Sequence, residues 1–179
     1  MKTTFRILVL AMLTASLISC ETIKNQFDVE IETTIEGDLS FVTDETELKS
    51  TDDHGFNDSQ TVDVLNADLS EYGDLIQDFN TQNITIRVLS VDSSDVILRA
   101  DSEFSISNSN AVHTMRLPSD WPIDEGFTLT VDEASYGAIN DILEDLVPIT
   151  FTAVGTCNKG NVHITLNYGI DVIVVSNPL

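Results

Sequence analysis

The sequence predicts a mainly β domain: an antiparallel β-sandwich carrying two short amphipathic helices, built as two pseudo-repeats of strand, helix, strand and hairpin. Three observations lead there. Apolar residues alternate with polar ones over several stretches, most cleanly at Val162, Ile164, Leu166, Tyr168, Ile170, Val172 and Val174, which is the period of a strand with one buried face. Two segments instead space their apolar residues at i, i+3, i+4 and i+7, as an amphipathic helix does. The order of these segments then recurs along the chain.

The first residues stand apart from this pattern. Lys2 and Arg6 precede an apolar run from Ile7 to Ile18. The run is shorter than the ~20 residues of a spanning helix, and it has the charge, length and small flanking residue of an export signal. It closes on Leu17-Ile18-Ser19-Cys20, which resembles the lipobox of bacterial lipoproteins. The resemblance covers residues 1–20 only. It implies that the signal 1–19 is removed and that Cys20 carries a diacylglycerol thioether, usually with an acylated amine. The mature chain would then be lipid-anchored in the bacterial cell envelope, at the outer membrane in preference to the inner. Several acyl chains on one residue anchor stably, since each buried CH2 contributes about 0.8 kcal/mol. Residues 20–26 read as a lipidated tether and 27–179 as a single β-rich domain.

Phe27, Val29, Ile31 and Ile35 alternate with Asp28, Glu30, Glu32, Thr34 and Glu36, predicting a half-buried strand with an acidic outer face. Gly37-Asp38 reads as a turn, with a short strand after it at 39–43. Residues 44–59 are polar, acidic and without sustained period, and read as a long loop. Within it Asp52, Asp53 and Asp58 offer oxygen ligands of the kind Ca2+ accepts, although their spacing is not that of an EF-hand. A solvated acidic loop is the competing reading.

From Thr61 onward the chain repeats itself. The first copy runs through Val62 and Val64, the stripe Tyr72, Leu75, Ile76 and Phe79, the strand Ile84, Ile86 and Val88, a break at 92–95, and Val96 to Leu98. The second runs through Phe127, Leu129 and Val131, the stripe Ile139, Ile142, Leu143 and Leu146, the strand Ile149, Phe151 and Ala153, a break at 158–161, and the last strand. The offset drifts only from 64 (Tyr72 to Tyr136) to 66 (Val96 to Val162). Pro148 stops the second helix, helices this short must pack on a sheet to persist, and four-residue breaks suit hairpin loops. Between the copies, Phe104 and Ile106 predict one strand, and Ala111, His113, Met115 and Leu117 another. Two prolines make 117–122 a loop, with Trp121 capping the core. Helices crossing between parallel strands, a βαβ arrangement, are the alternative.

The 179 residues include 30 Asp and Glu against 8 Lys and Arg, a formal charge of −22 that losing Lys2 and Arg6 takes to −24. Such a surface repels phosphate, which argues against nucleic acid as a partner. If Cys20 carries lipid, Cys157 has no disulfide partner. It falls in phase with Ile149, Phe151 and Ala153, as a buried structural thiol would. No nucleophile-elbow, zinc-hydrolase, P-loop or dinucleotide motif is present, and no catalytic residue is assigned. The expectation is a non-catalytic cell-envelope lipoprotein that binds or scaffolds another envelope protein or a ligand. Two alternatives remain open. One is a carrier of a hydrophobic small ligand or lipid, its cavity lined by Phe79, Leu143 and Trp121. The other is a Ca2+-dependent adhesion module using the acidic loop.

Overall fold

The computed structural model describes residues 28–45, 53–124, 126 and 128–177. The export signal, the lipobox with Cys20, the tether and Asp52 lie outside the described residues. Among the described residues, ten strands and one α-helix follow in the order β1 (Val29–Val42), β2 (His54–Val62), β3 (Ile76–Val91), β4 (Val96–Leu98), β5 (Glu103–Ser107), β6 (Val112–Arg116), β7 (Trp121–Ile123), β8 (Thr128–Thr130), α1 (Tyr136–Leu143), β9 (Ile149–Cys157) and β10 (His163–Ser176). Their pairings are all antiparallel. The domain is therefore the antiparallel sandwich that the alternating patterns predict, and the βαβ alternative is excluded.

The first sheet has the order β1-β10-β3-β8. In the second, β5 pairs β6 (Glu103 opposite Arg116) and β4 pairs β7 (Leu98 opposite Trp121) in one continuous register. Those four short strands therefore act as two long ones, each interrupted once. β9 lies between them and β2, pairing β2 along one edge and β5 and β4 along the other. Counting eight strand positions in chain order, the sheets read 1-8-3-6 and 2-7-4-5, which is the wiring of a jelly roll.

The repeat is real, but its parts are not those the sequence suggests. Its two breaks are not hairpins: 92–95 carries the chain from the first sheet to the second, and 158–161 from the second back to the first. They are nevertheless equivalent. Asp95 and Asn161, at matching positions, both take a left-handed backbone, with φ of 53° and 56°. Leu98 pairs Cys157 just as Ile164 pairs Val91. The two copies are thus related by an approximate two-fold that exchanges the sheets.

Of the two expected helices one forms. α1 buries Ile139, Ile142 and Leu143 and packs on β3, where Asn140 Oδ1 accepts from the Thr81 amide (3.0 Å) and hydroxyl (2.6 Å). The other stripe is a single 3-10 turn, Gly73–Leu75, after which Ile76 already opens β3. A bulge explains the misreading. Ile76 pairs Ser176 while Asp78 pairs Val175, so a register shift at Gln77 leaves Ile76 and Phe79, three residues apart, both against the core. That broken alternation imitates a helical period.

Two further expectations are corrected. Gly37 is not in a turn; β1 runs through it. It points inward, where an added Cβ would lie 2.9 Å from Gln60 Oε1 and 3.0 Å from the Phe151 and Val62 side chains. A strand glycine here marks a close approach. Residues 44–59 are not one loop either, because β2 starts at His54 and pairs β9 along its whole length. Ladder hydrogen bonds involve backbone groups only, so a polar edge strand can form without an apolar stripe. Trp121–Ile123 is likewise a strand, β7, tolerating Pro122 at a sheet edge.

The core is continuous between the sheets. Tyr168 sits fully buried at its centre, stacked on Phe151 (4.9 Å between ring centroids) and edge-on to Phe104 (6.0 Å), arrangements worth about 0.5–1.5 kcal/mol each beyond area burial. Burial also pushes its phenol well above the ordinary value. Cys157 is fully buried, its Sγ donating to the Lys159 carbonyl at 2.9 Å, the structural thiol that its phase predicts.

Candidate functional site

Among the recesses formed by the described residues, one lies on a sheet face and one at an end of the sandwich. The first is a shallow groove of about 410 Å3 lined by Glu32, Thr33 and Thr34 of β1, Gln82 of β3, and Asp171, Val172 and Ile173 of β10. Its carboxylate is fixed. Asp171 Oδ1 accepts from Thr34 Oγ1 at 2.8 Å, and Oδ2 from Asn83 Nδ2 at 3.2 Å. Along β1 the even-numbered side chains Glu30, Glu32, Glu36 and Asp38 are exposed on the same face, as the period-two pattern requires. Asp38 accepts from Asn167 Nδ2 at 2.8 Å. Among the described residues none of these carboxylates has an ion-pair partner.

Of the four described cations, Arg87 is exposed on the outer face of β3 and the other three are engaged elsewhere. Arg99 bridges Asp53 (2.6 Å) and Asp120 (2.8 Å) where the second sheet is interrupted, and Arg116 pairs Glu103 at 2.6 Å. Lys159 donates to the Ser94 carbonyl. The Ala100 amide and then Arg99 hold the Asp120 carboxyl below its ordinary value, and the two carboxylates raise that of Arg99.

The second recess, about 430 Å3, opens between β6 at one sheet edge and β8 at the other, and is closed below by the link into α1. His113, Met115, Leu129 and Val131 lie in its lining, with Thr114, Arg116, Asp132 and Ser135 also contributing.

Of the sequence-derived Ca2+ candidates, the two described ones, Asp53 and Asp58, serve different partners. Asp53 is committed to Arg99. Asp58, on β2, accepts the Ser40 amide at the free edge of β1 (2.8 Å), which blunts that edge against further strand pairing. No group of three or more His, Cys, Asp or Glu among the described residues is placed to hold a metal ion. The carrier cavity is also not where the sequence puts it: Phe79 and Leu143 are fully buried in the core, and Trp121 packs against it from β7.

The three histidines stay apart. His54 Nδ1 meets the Asp44 carbonyl at 2.8 Å, His113 lines the second recess, and His163 Nε2 lies 2.8 Å from Ser40 Oγ. The Ser40–His163 pair sits on the open sheet face, and no carboxylate among the described residues reaches the other ring nitrogen. Sequence reasoning missed Thr34, Asn83 and Gln82 as neighbours of Asp171. No sequence signal was available for two of them: Gln82 and Asn83 fall between the predicted stripe and the strand starting at Ile84, and the meeting of all three with Asp171 depends on register.

The chain matches no protein family model and no curated protein. A solved structure titled Desmodium yellow mottle tymovirus aligns with 83% of this chain and 90% of its own, at 12% identity and a TM-score of 0.25. That likeness carries no argument about function.

Proposed function

We propose that the protein is a non-catalytic lipoprotein of the bacterial cell envelope that works as a binding module, holding a cationic segment of another envelope protein on the outer face of the sheet β1-β10-β3-β8. One observation supports this above others. The groove around Asp171 is flanked by a row of exposed carboxylates, Glu30, Glu32, Glu36 and Asp38, that have no ion-pair partner among the described residues. These carboxylates outnumber the one exposed cation of β3 on that face, Arg87, and an excess of charge of one sign steers and orients a partner of the opposite sign. The lipobox at Leu17 to Cys20 supports the anchored location, and the formal charge of −22 supports a basic protein rather than an anionic lipid surface as the partner.

A photo-crosslinking residue replacing Gln82, in the full chain expressed in its own membrane, tests this reading. The expected result is one dominant adduct that fades as salt is raised, and that the double variant Glu32→Gln with Glu36→Gln weakens. An adduct indifferent to both salt and these substitutions would overturn it.

A further inference from the structure

The strand β6 ends the second sheet, and among the described residues no strand pairs its outer edge. Its bonds to β5 show which backbone groups face outward. The Asn108 amide donates to the Ala111 carbonyl, and the Leu117 amide to the Ser102 carbonyl. In the register that sets His113 opposite Ile106 and Met115 opposite Phe104, the odd-numbered residues of β6 therefore bond β5. Successive residues of an antiparallel strand alternate in this respect. The amides and carbonyls of Val112, Thr114 and Arg116 thus point away from the sheet. The same three residues are exposed, and Thr114 and Arg116 line the open recess beside β6.

Other edges are blunted. On β1 the Thr34 carbonyl takes Asn66 Nδ2 at 3.1 Å, and the Ser40 amide is held by Asp58. On β2 the Gly55 carbonyl takes the Asp44 amide at 2.8 Å. β7 carries Pro122 and, like β8, is only three residues long. β6 has neither a proline nor a side chain capping its outward groups, the usual guards against strand addition. Its Val112 is also the most exposed large apolar side chain among the described residues, at 66%.

Charge and register select what covers this edge. Arg116 is paired with Glu103 of the same chain, so the edge favours neither a cationic nor an anionic strand. A second copy of β6, antiparallel about a two-fold axis at Thr114, sets Thr114 opposite Thr114 and Val112 opposite Arg116. No like charges meet, and the outward groups of all three residues pair, giving about six hydrogen bonds at two per bonded pair. The same operation on β1 would set Glu30, Glu32 and Glu36 of one copy against those of the other, and like charges across strands are unfavourable.

We propose that β6 pairs with β6 of a second copy of the chain, joining two sandwiches through one continuous sheet. The contact is separate from the acidic groove and does not depend on the reading given to it.

Cysteine trapping in the full chain, expressed in its own membrane, tests the pairing. Thr114→Cys sets two thiols across the axis with about 5.5 Å between Cα atoms, within reach of a disulfide. The parent chain, whose Cys157 is buried, gives the background. Mild oxidation should yield a linked dimer from Thr114→Cys and none from Ser59→Cys, on the opposite edge strand β2. Adding Val112→Pro removes an outward amide at the first residue of β6, where proline is tolerated and no bond to β5 is lost, and should cut the yield severalfold. Adding Val112→Lys, which sets a second cation against Arg116 and leaves the backbone alone, should do the same. No dimer from Thr114→Cys, a dominant adduct with another protein instead, or an equal dimer from Ser59→Cys would overturn the pairing. So would a yield that Val112→Lys leaves unchanged, whether or not the proline variant folds.

Discussion

Asp92 and Asn158 perform the same task at equivalent positions of the two repeats. Asp92 Oδ1 accepts the His163 amide at 3.0 Å, and Asn158 Oδ1 accepts the Ile97 amide at 2.8 Å. Their own amides return the bond, to the carbonyls of His163 and Ile97, both at 3.2 Å. Each residue thereby ties the break it begins to the strand of the other repeat. The two breaks also touch: Asn158 Nδ2 donates to the Asp95 carbonyl at 3.0 Å, and Lys159 Nζ lies 3.4 Å from Ser93 Oγ. The approximate two-fold therefore runs between these two turns.

Truncating Asn158 removes an acceptor and a donor together, and truncating Asp92 removes one acceptor. Asn158→Ala is expected to cost about 1–3 kcal/mol by leaving the part-buried Ile97 amide unpaired, and Asp92→Ala less, because the His163 amide lies nearer solvent. Since the turns are in contact, the double variant should lose less or more than the summed losses by at least about 0.5 kcal/mol. Denaturant titration of the single and double variants measures all three. Strict additivity would show that the turns act independently.

The glycines separate close approach from mere permissiveness. Gly37→Ala drives a methyl group into Gln60, Phe151 and Val62 between the sheets, and overpacking of this kind costs about 1–3 kcal/mol. Gly137, in α1, has nothing within 4 Å of an added Cβ. There Gly137→Ala should stabilise by roughly 0.5–1 kcal/mol through helix propensity. Opposite shifts of the melting temperature are the expected outcome.

The same glycine shows where the sequence is silent. Gly37 carries the composition of a turn, yet what fixes it is the nearness of β2 and β9, chain segments that no local pattern connects to it. Elements with an intact period were legible: β10, β9, β5, β6 and α1 all lie where alternation or the helical stripe puts them. β2 was hidden because an edge strand needs no apolar stripe, and the start of β3 because its bulge turns period two into something like period 3.6. The acidic face of β1 could be read directly. The groove around Asp171 could not, because Thr34, Asn83 and Asp171 meet only through the pairing register of three strands.

Two carboxyls should tilt the pH dependence of stability in opposite directions. Partial desolvation first, then the charges of Asp78 and Asp141, raise Glu144 above its ordinary value. The folded chain therefore holds this proton more tightly than the unfolded one, and its contribution to stability is lost as pH rises from the unfolded value through the folded one. Asp120 is lowered, by the Ala100 amide and then Arg99. Its contribution is present above the unfolded value and is lost as pH falls through the folded one. Glu144→Gln should thus raise the melting temperature at neutral pH with little effect in acid. Asp120→Asn should lower it at neutral pH and converge on the parent in acid. Melts recorded across that range for both variants check the signs.

Thiol titration joins the buried core to the lipid anchor. Burial pushes the Cys157 thiol up, against weaker opposition from a backbone hydrogen bond at Lys159 and from Thr43, and reactivity belongs to the thiolate. The folded protein should therefore leave Cys157 unmodified by a water-soluble aromatic disulfide reagent, and expose it only as the sandwich unfolds. The sequence holds just one other cysteine, Cys20. On the proposed lipidation, protein recovered from bacterial membranes should titrate as no reactive thiol when native and one when denatured, because a thioether at Cys20 cannot react. A second thiol on denaturation would mean that Cys20 is unlipidated, and a fast-reacting thiol in the native Cys20→Ser chain would mean that β9 does not seal Cys157 in the core.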